Sequence, residues 1–468
     1  MKRFLLLLPL SALMLATAPQ GWVSAQAGDS IPTYYDTVGP ILQSNCVGCH
    51  TEGGIAPFPL DDAKWAVRMA PAIAAAVQSG RMPPWPPGGD TPPLHGDRRL
   101  TPETVRTLVR WAEAGAPLGR LRYLPLPPSG TSSAPLPYSL KPVQAYTADT
   151  KLSDDYRCFQ IDPALSSDTF VTGYRIRPGQ TQLVHHVILF VIGREQLALA
   201  QSRDGRDGRP GWPCFGGPGL SGNPADIAAP LGFWVPGTQG TDFPPGTGFL
   251  MRSGSRIVMQ VHYNLAAGPA APDQTRLELA TAPGSAGLKP LLGNAVIAPV
   301  EIRCPPGASG ERCTREYALA HTGMRFVAEG SHLICNTSPA LYQARDIGNG
   351  SSQVTTCDRP VPGDRVLLGV TAHMHLRGVR VKLELNPGTP RARTLLDIPR
   401  WDFRWQGEYW FEEPIRANRG DTVRITCIYD NSGPIPGPGG EPLEPRYMVW
   451  GEGTTDEMCL GFLSWMRP

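Results

Sequence analysis

The spacing of apolar residues changes along the chain, from helical before about residue 120 to strand-like after about residue 151. One helix is predicted to start at Thr101-Pro102-Glu103, because threonine caps a first turn and proline fits its first position. Its apolar positions have the spacing of one helix face, at Val105, Leu108, Val109 and Ala112. An earlier helix is expected over residues 65–77, capped by Asp61 or Asp62, although Pro71 should kink or break it.

The second part of the chain has the two-residue alternation of strands with one buried face. Clear runs occupy residues 170–176, 257–263 and 423–429, and turn residues separate them. No helix of convincing length is visible here. Because this part is too long for one β-sandwich, we predict two all-β sandwiches, over residues 151–295 and 296–468.

The N-terminus has the features of a secretory signal. Lys2 and Arg3 precede an apolar run that is shorter than the about 20 residues of a membrane span. Ala25-Gln26-Ala27 offers a cleavage site, so residues 1–27 are predicted to be a signal peptide and the mature chain to be periplasmic or secreted. Residues 121–150, rich in proline, serine and glycine, are predicted to be a linker.

Charge and hydropathy exclude two classes of partner. The formal net charge is only +2, which gives no indication of a nucleic-acid partner or an anionic membrane surface. No stretch after the signal is long and apolar enough to cross a bilayer, so no membrane span is expected in the mature chain.

A haem-attachment motif lies in the helical part. Cys46-Val47-Gly48-Cys49-His50 places two thiols for thioether bonds to a haem and a histidine for its iron. A redox or zinc Cys-x-x-Cys is the alternative, but the adjoining histidine and the export signal favour haem. Over residues 28–120 the sequence resembles small class I cytochromes c, which implies an all-α domain. Met82 is our candidate for the sixth iron ligand, ahead of Met69 and His95.

Five of the nine histidines lie in three apolar, strand-like runs, at His185, His186, His262, His373 and His375. His373 and His375 are two residues apart, so on a strand their rings share a face and can share a metal. His185 and His186 are adjacent and would face opposite sides of a regular strand. Their joint ligation needs a twist, a β-bulge or the use of different ring nitrogens.

These runs, together with Glu457-Met458-Cys459, resemble the copper type II ascorbate-dependent monooxygenases, the family of peptidylglycine α-hydroxylating and dopamine β-monooxygenases. The resemblance covers about residues 155–468 and implies two jelly-roll-like β-sandwiches with one copper on each. It implies that His185, His186 and His262 hold the electron-donating copper, and that His373, His375 and Met458 hold the copper that binds O2. A thioether favours Cu(I), whereas zinc sites use cysteine, histidine and carboxylate.

The full prediction is thus a small all-α cytochrome c domain followed by two all-β jelly-roll-like sandwiches, with one covalent haem c and two copper ions. The implied activity is hydroxylation of a small-molecule C–H bond with O2. An external donor, an ascorbate-like reductant or a redox protein, would supply electrons, and the haem could pass them to the His185, His186 and His262 copper. The alternatives are a non-catalytic electron-transfer or copper-binding protein and a substrate-binding or adhesion module.

Eight cysteines remain besides the two of the haem motif, and this even number is what a framework of disulfides requires. The family resemblance suggests a Cys427–Cys459 bridge behind Met458, and a Cys158–Cys214 bridge. The other four cannot be assigned from sequence: Cys304, Cys313, Cys335 and Cys357.

The sequence departs from the peptide-hydroxylating member of the family around the second copper. That member has an arginine for the substrate carboxylate where this chain has Thr371, so a peptide carboxylate would lose its bidentate partner. Leu460 and Phe462 stand where it has asparagine and tyrosine, which indicates a less polar pocket. Gln260 shares the strand face of His262 and is a candidate for hydrogen bonding near the site. We expect His95, His321 and His332 to be ordinary polar residues.

Overall fold

The structure is a computed structural model of the chain. It describes residues 30–52, 56–121, 136–152, 154–214, 217–220, 230–235, 240–265, 269–322, 324–343, 352–437, 441–451, 453 and 455–468. The predicted signal peptide and residues 122–135 of the predicted linker lie outside the described residues.

Four short helices follow a π-helical turn at Tyr34–Val38: α1 (Gly39–Asn45), α2 (Ala63–Arg68), α3 (Ala70–Gln78) and α4 (Pro102–Glu113). The Asp62 carboxylate caps α2 by accepting hydrogen bonds from the backbone N–H groups of Lys64 and Trp65. Pro71 does break the helical run, since α3 starts one residue before it. Thr101 caps α4 as its sequence predicts. The four helices enclose a small apolar core of their own.

The predicted fold class, with its all-α cytochrome c domain over residues 28–120, is wrong. The protein is mostly β-sheet, and its N-terminal helices are small and scattered, with none longer than 12 residues in the part of the chain that the structure describes. The physical reason lies in residues 80–100, where prolines and glycines remove backbone donors and interrupt helix. This segment leaves the helices and runs along the last sandwich, where Leu94 forms a β-bridge with Phe411.

The first sandwich has two sheets. The first sheet has the order β1-β10-β3-β8-β11 with β7 beside β3, and its strands pair antiparallel except for β8 and β11, which are parallel. The second sheet is antiparallel and has the order β5-β2-β9-β4-β6. A 3₁₀ turn at Arg194–Gln196 and helix α5 (Leu197–Arg203) follow β4. The strands are β1 (Tyr138–Leu140), β2 (Asp154–Ile161), β3 (Thr169–Arg177), β4 (Val184–Ile192), β5 (Trp212–Pro213), β6 (Pro230–Trp234), β7 (Thr241–Asp242), β8 (Thr247–Met251), β9 (Arg256–Asn264), β10 (Arg276–Pro283) and β11 (Lys289–Pro290).

The second sandwich has sheets of order β12-β23-β15-β18 and β14-β19-β16-β17, with two small two-stranded ribbons, β13-β22 and β20-β21. Its strands are β12 (Leu292–Ile297), β13 (Glu301–Ile302), β14 (Ser352–Pro360), β15 (Arg365–His373), β16 (Gly378–Leu385), β17 (Arg393–Ile398), β18 (Glu408–Ala417), β19 (Thr422–Asp430), β20 (Ile435–Pro436), β21 (Pro442–Leu443), β22 (Met448–Val449) and β23 (Leu460–Met466). Between β13 and β14 lie a 3₁₀ turn (Glu311–Cys313) and helices α6 (Arg315–His321), α7 (Arg325–Ile334) and α8 (Pro339–Gln343), which the sequence did not predict.

The two sandwiches pack against each other through apolar side chains. Val366, Leu368 and Trp410 of the second sandwich belong to the buried core of the first. This contact fixes the faces that carry the histidine runs relative to one another. Among the described residues, no helix combines the length and the apolarity needed to span a bilayer.

Candidate metal centres

His185, His186 and His262 converge on one point of the first sandwich. The register of the neighbouring strands β4 and β9 shifts between Val184 and His186, which is the β-bulge that joint use of adjacent histidines requires. His186 then pairs directly with His262. The Nδ1 atom of His186 lies 3.4 Å from Nδ1 of His185 and 3.2 Å from Nδ1 of His262. One ligand atom from each of the three residues falls within 4.8 Å of the others, as a shared metal ion requires.

The ring of His262 is held from two sides. Its Nε2 lies 2.7 Å from the Asp154 carboxylate on β2, and its face stacks on Tyr156 at a centroid distance of 4.1 Å. A proton on Nε2 that is donated to Asp154 leaves the Nδ1 lone pair directed at the other two histidines. Burial lowers the pKa of His185, His186 and His262, so all three rings stay neutral as metal ligands must.

His373 and His375 form a second pair at the end of β15, with ring centroids 4.9 Å apart. Nδ1 of His373 lies 2.5 Å from Oε1 of Gln406, and Nδ1 of His375 lies 3.1 Å from the backbone oxygen of Asp456. Both Nδ1 atoms are therefore protonated donors, and both Nε2 lone pairs are available to a metal. Burial lowers the pKa of both rings and keeps them neutral.

Met458 lies just before the neighbouring strand. His373 pairs with Leu460 at the start of β23, and Met458 lines the same cavity as His373 and His375. The buried Glu457 carboxylate accepts a 2.9 Å hydrogen bond from the His375 backbone N–H, and burial raises the pKa of Glu457 to about 8. The Cys427–Cys459 disulfide fixes the residue after Met458. The second cluster thus offers two imidazoles and a thioether.

Both clusters face one cavity of about 730 Å³ between the sandwiches, which His186, His373, His375 and Met458 all line. Phe403 stands between them, with its ring centroid 6.0 Å from that of His185 and 5.7 Å from that of His375. The cavity is of a size that holds a small organic molecule.

Two carboxyl groups line the cavity, Asp242 and Glu408. Glu408 is half-buried, and its Oε2 lies 3.4 Å from the hydroxyls of both Tyr174 and Thr241. Burial raises its pKa to about 7. Glu408 pairs in register with Thr371, which also lines the cavity.

Sequence reasoning missed Asp154, Phe403, Gln406 and Glu408. None of them belongs to a recognisable motif, and each reaches the site through strand pairing or from a loop. Gln260 lines the cavity, but its amide lies nearest Gly217 O, at 3.4 Å, and Cys214 Sγ. Sequence spacing therefore placed Gln260 on the correct face without identifying its contacts.

Leu460 and Phe462 line the cavity wall, as does His95, a residue that we expected to be an ordinary polar one. His321 is exposed and stacks on Tyr317 of its own helix. His332 is buried, and its Nε2 lies 2.8 Å from Glu301.

The haem-motif residues lie together on the turn after α1, where the backbone N–H of His50 donates to Cys46 O at 2.9 Å. Nδ1 of His50 lies 3.0 Å from the backbone oxygen of Phe58, which leaves its Nε2 available as a ligand. Cys46 and Cys49 are half-buried free thiols. Met82 follows α3, where its backbone N–H donates to Ala76 O at 3.2 Å.

The other eight cysteines form four disulfides. Cys158–Cys214 and Cys427–Cys459 confirm the two predicted pairs. The four cysteines that sequence could not assign pair as Cys304–Cys313 and Cys335–Cys357. Such a framework is consistent with a secreted or extracellular protein.

The similarity to solved structures is weak. The chain is 10% identical to an F-lectin (fucolectin) from the serum of Morone saxatilis (striped bass), over 68% of this chain and 84% of the lectin, with a TM-score of 0.15. It is 11% identical to an allantoicase, over 66% of this chain and 81% of that one, also with a TM-score of 0.15. Neither score supports an argument about the fold.

No curated protein matches the chain. A family model does match, over residues 352–468, the part that contains β14 to β23 and with them His373, His375 and Met458. Its description is that of the C-terminal domain of copper type II ascorbate-dependent monooxygenases. Residues 352–468 are therefore similar to the C-terminal domain of that copper-dependent oxygenase family.

Proposed function

We propose that the protein is a copper-dependent monooxygenase that uses O2 to hydroxylate a C–H bond of a small organic substrate. His185, His186 and His262 hold one copper ion, and His373, His375 and Met458 hold the other. The observation that carries the proposal is that two ligand sets, three imidazoles in one and two imidazoles with a thioether in the other, face one cavity on either side of Phe403. The domain match over residues 352–468 supports copper as the cofactor and O2 as the oxidant.

The donor atoms fit copper better than zinc. Three imidazoles suit copper in both oxidation states, whereas a methionine thioether favours Cu(I) and is foreign to zinc sites. Asp154 holds His262 in one tautomer, and Gln406 and the Asp456 carbonyl do the same for His373 and His375. These contacts keep the ligand nitrogens directed inward before a metal arrives.

The reaction consumes the substrate C–H bond, O2, two electrons and two protons, and it yields the hydroxylated product and water. Copper, when bound, supplies the one-electron steps that allow O2 to react with a C–H bond. The chain itself provides the rest. The cavity walls position the substrate beside His373, His375 and Met458, and their apolar side chains limit water at the reacting centre. An ascorbate-like reductant or a redox protein supplies the electrons.

We further propose that Cys46, Cys49, His50 and Met82 would hold a covalent haem, which would supply one-electron transfer between an external donor and copper. The two cysteines stand outside the disulfide framework, and His50 keeps Nε2 available. Residues 1–27 would export the chain to the periplasm or the medium. A pyridine haemochrome spectrum should show one thioether-linked haem per chain, and Cys46→Ser with Cys49→Ser should abolish it. A chain without covalent haem would refute this part.

The monooxygenase is tested by O2 consumption of the copper-loaded protein with ascorbate and a panel of small ring compounds. We expect substrate-dependent consumption, and with ¹⁸O2 a product that carries one labelled oxygen. His373→Ala should abolish this activity. His321→Ala is the matched control, because His321 is exposed and its ring hydrogen-bonds to and stacks on Tyr317 of its own helix. Copper binding without any turnover would instead favour a non-catalytic electron-transfer protein.

A further inference from the structure

The N-terminal part of the chain reaches the copper cavity. Residues 84–98, here called the strap, lie in the segment between α3 and α4. Six strap residues line the cavity together with the second histidine pair: Pro84, Trp85, Pro86, His95, Gly96 and Arg98. The family match begins at residue 352, so the strap lies outside the part of the chain that it covers.

The strap is attached to the second sandwich by backbone pairing. Leu94 forms an antiparallel bridge with Phe411 of β18, the edge strand of its sheet. The backbone N–H of His95 donates to Trp410 O at 2.9 Å, and that of Glu412 donates to Pro93 O at 3.1 Å. These bonds satisfy part of an otherwise open sheet edge, which gives the strap a fixed position.

A second attachment lies at the beginning of the strap. The backbone N–H of Gly88 donates to Asp397 O at 2.8 Å, and the Thr91 hydroxyl accepts a 2.8 Å bond from the Asp397 N–H. Gly89 has φ +53°, and a Cβ there would meet the Asp397 carboxylate at 2.3 Å, so glycine is required at this close approach. The attachments at residues 93–95 and 88–91 together hold the strap against the cavity.

Trp85 is the large strap side chain at the wall. Its ring packs edge-on against Tyr409, with centroids 5.6 Å apart, and both residues line the cavity. The wall continues with further aromatic side chains, namely Phe403, Trp405 and Phe462. Aromatic walls favour ring-bearing ligands through offset and edge-to-face packing.

The charged groups on the wall are of both signs. Glu408 and Asp242 line the cavity as acids, and Arg98 of the strap lines it as a cation. The preference for a ring-bearing ligand therefore rests on the aromatic side chains of the wall.

We propose that the strap is a specificity-determining wall of the substrate cavity, and that the substrate is a ring-bearing compound that packs on Trp85. This inference rests on the monooxygenase proposed above, because it assigns the substrate of that same site. The N-terminal part of the chain then shapes the substrate pocket as well as carrying the haem motif.

The test uses N-phenyl-1-naphthylamine, a neutral ring compound whose fluorescence rises in apolar sites, with the full-length, copper-loaded protein. We expect Trp85→Ala to weaken dye binding by about 10-fold, the loss typical of a central aromatic contact. Trp85→Phe should retain binding within about 3-fold, because a ring remains against Tyr409. Trp65→Ala is the matched control, since Trp65 is 38% exposed on α2 and does not line the cavity.

The outcomes separate the two proposals. Unchanged dye affinity in Trp85→Ala, with copper bound as in the wild type, would overturn the strap proposal and leave the monooxygenase standing. Failure of the wild-type protein to bind copper would overturn the monooxygenase, whatever the dye does. If Trp85→Ala does not fold, Trp85→Leu replaces it, because leucine keeps apolar contact with Tyr409 but has no ring. A Trp85→Leu affinity equal to that of wild type would also refute the proposal.

Discussion

The contact between Asp154 and His262 allows a graded test of how the first cluster holds metal. The two side chains meet at 2.7 Å, and they are only 14% and 2% exposed. Asp154→Asn keeps an oxygen that can accept from Nε2 but removes the negative charge. Asp154→Ala removes the acceptor altogether and leaves the ring free to rotate or change tautomer.

The expected magnitudes follow from this geometry. Loss of a hydrogen-bond partner behind a metal-ligating histidine costs about 10-fold to 100-fold in metal affinity. Asp154→Asn should weaken metal binding by about 10-fold, or about 1.4 kcal/mol, and Asp154→Ala by about 100-fold, or about 2.8 kcal/mol. The matched control is Asp162→Asn, which removes a carboxylate paired with Arg256 at 2.9 Å on the same sandwich, where Asp162 is 51% exposed.

The assay is a competition titration of Cu(I) between the protein and a colorimetric chelator, fitted with separate affinities for the two clusters. We expect only the affinity assigned to His185, His186 and His262 to fall, in the order wild type, Asp154→Asn, Asp154→Ala. Asp162→Asn should titrate as the wild type does. Equal affinities in all four proteins would refute the role given to Asp154, and so would a loss at both clusters.

Three further predictions concern stability and pH. Cys427→Ser with Cys459→Ser, which opens a bridge of sequence separation 32, should reduce the unfolding free energy by about 4 kcal/mol in urea titrations and loosen copper at the Met458 cluster. Opening the Cys304–Cys313 bridge, of sequence separation 9, should reduce the unfolding free energy by about 3 kcal/mol and leave copper binding unchanged. A larger loss from this bridge than from Cys427–Cys459 would contradict the account. Because the pKa of Glu408 is raised to about 7 in the folded protein, its stabilising contribution is complete below about pH 4.5 and is lost as pH rises through 7. Glu408→Gln should remove that decline, about 3 kcal/mol between pH 5 and 8, and an unchanged decline would show that Glu408 is not its source. Since burial lowers the pKa of the clustered histidines, copper should stay bound at pH 6, where free imidazole is mostly protonated, and release at that pH by dialysis would count against neutral buried rings.

The histidine runs were recognisable from sequence because their chemistry is local. An interval of two residues puts His373 and His375 on one strand face, and the structure brings them together. The adjacent pair His185 and His186 required an irregularity, which the structure has as a register shift. Sequence could state that requirement, but only the pairing with β9 shows that the backbone meets it.

The residues that support the clusters could not be predicted. Asp154 faces His262 only because β2 pairs with β9, and Glu408 faces the cavity only because β18 pairs with β15. Register between distant strands depends on the packing of the whole sandwich, and the short-range pattern leaves it open. For the same reason four cysteines stayed unassigned until the fold brought Cys304 to Cys313 and Cys335 to Cys357.

The N-terminal prediction failed for a different reason. A local haem-attachment motif and one well-capped helix suggested a complete all-α domain, but motif and fold are separate properties. The proline- and glycine-rich segment after α3 cannot form helix, and it pairs instead with the exposed edge of β18. Its apolar residues, Trp85 and Leu94, pack against the core of the second sandwich.

Copper stoichiometry of the full-length protein tests the central claim most directly. The protein would be loaded with copper under anaerobic conditions, desalted and analysed for metal. The account predicts about two copper ions per chain, and about one after His373→Ala with Met458→Leu, which removes ligands of the second cluster only. One copper or none in the wild-type chain would contradict a pair of copper centres facing one cavity.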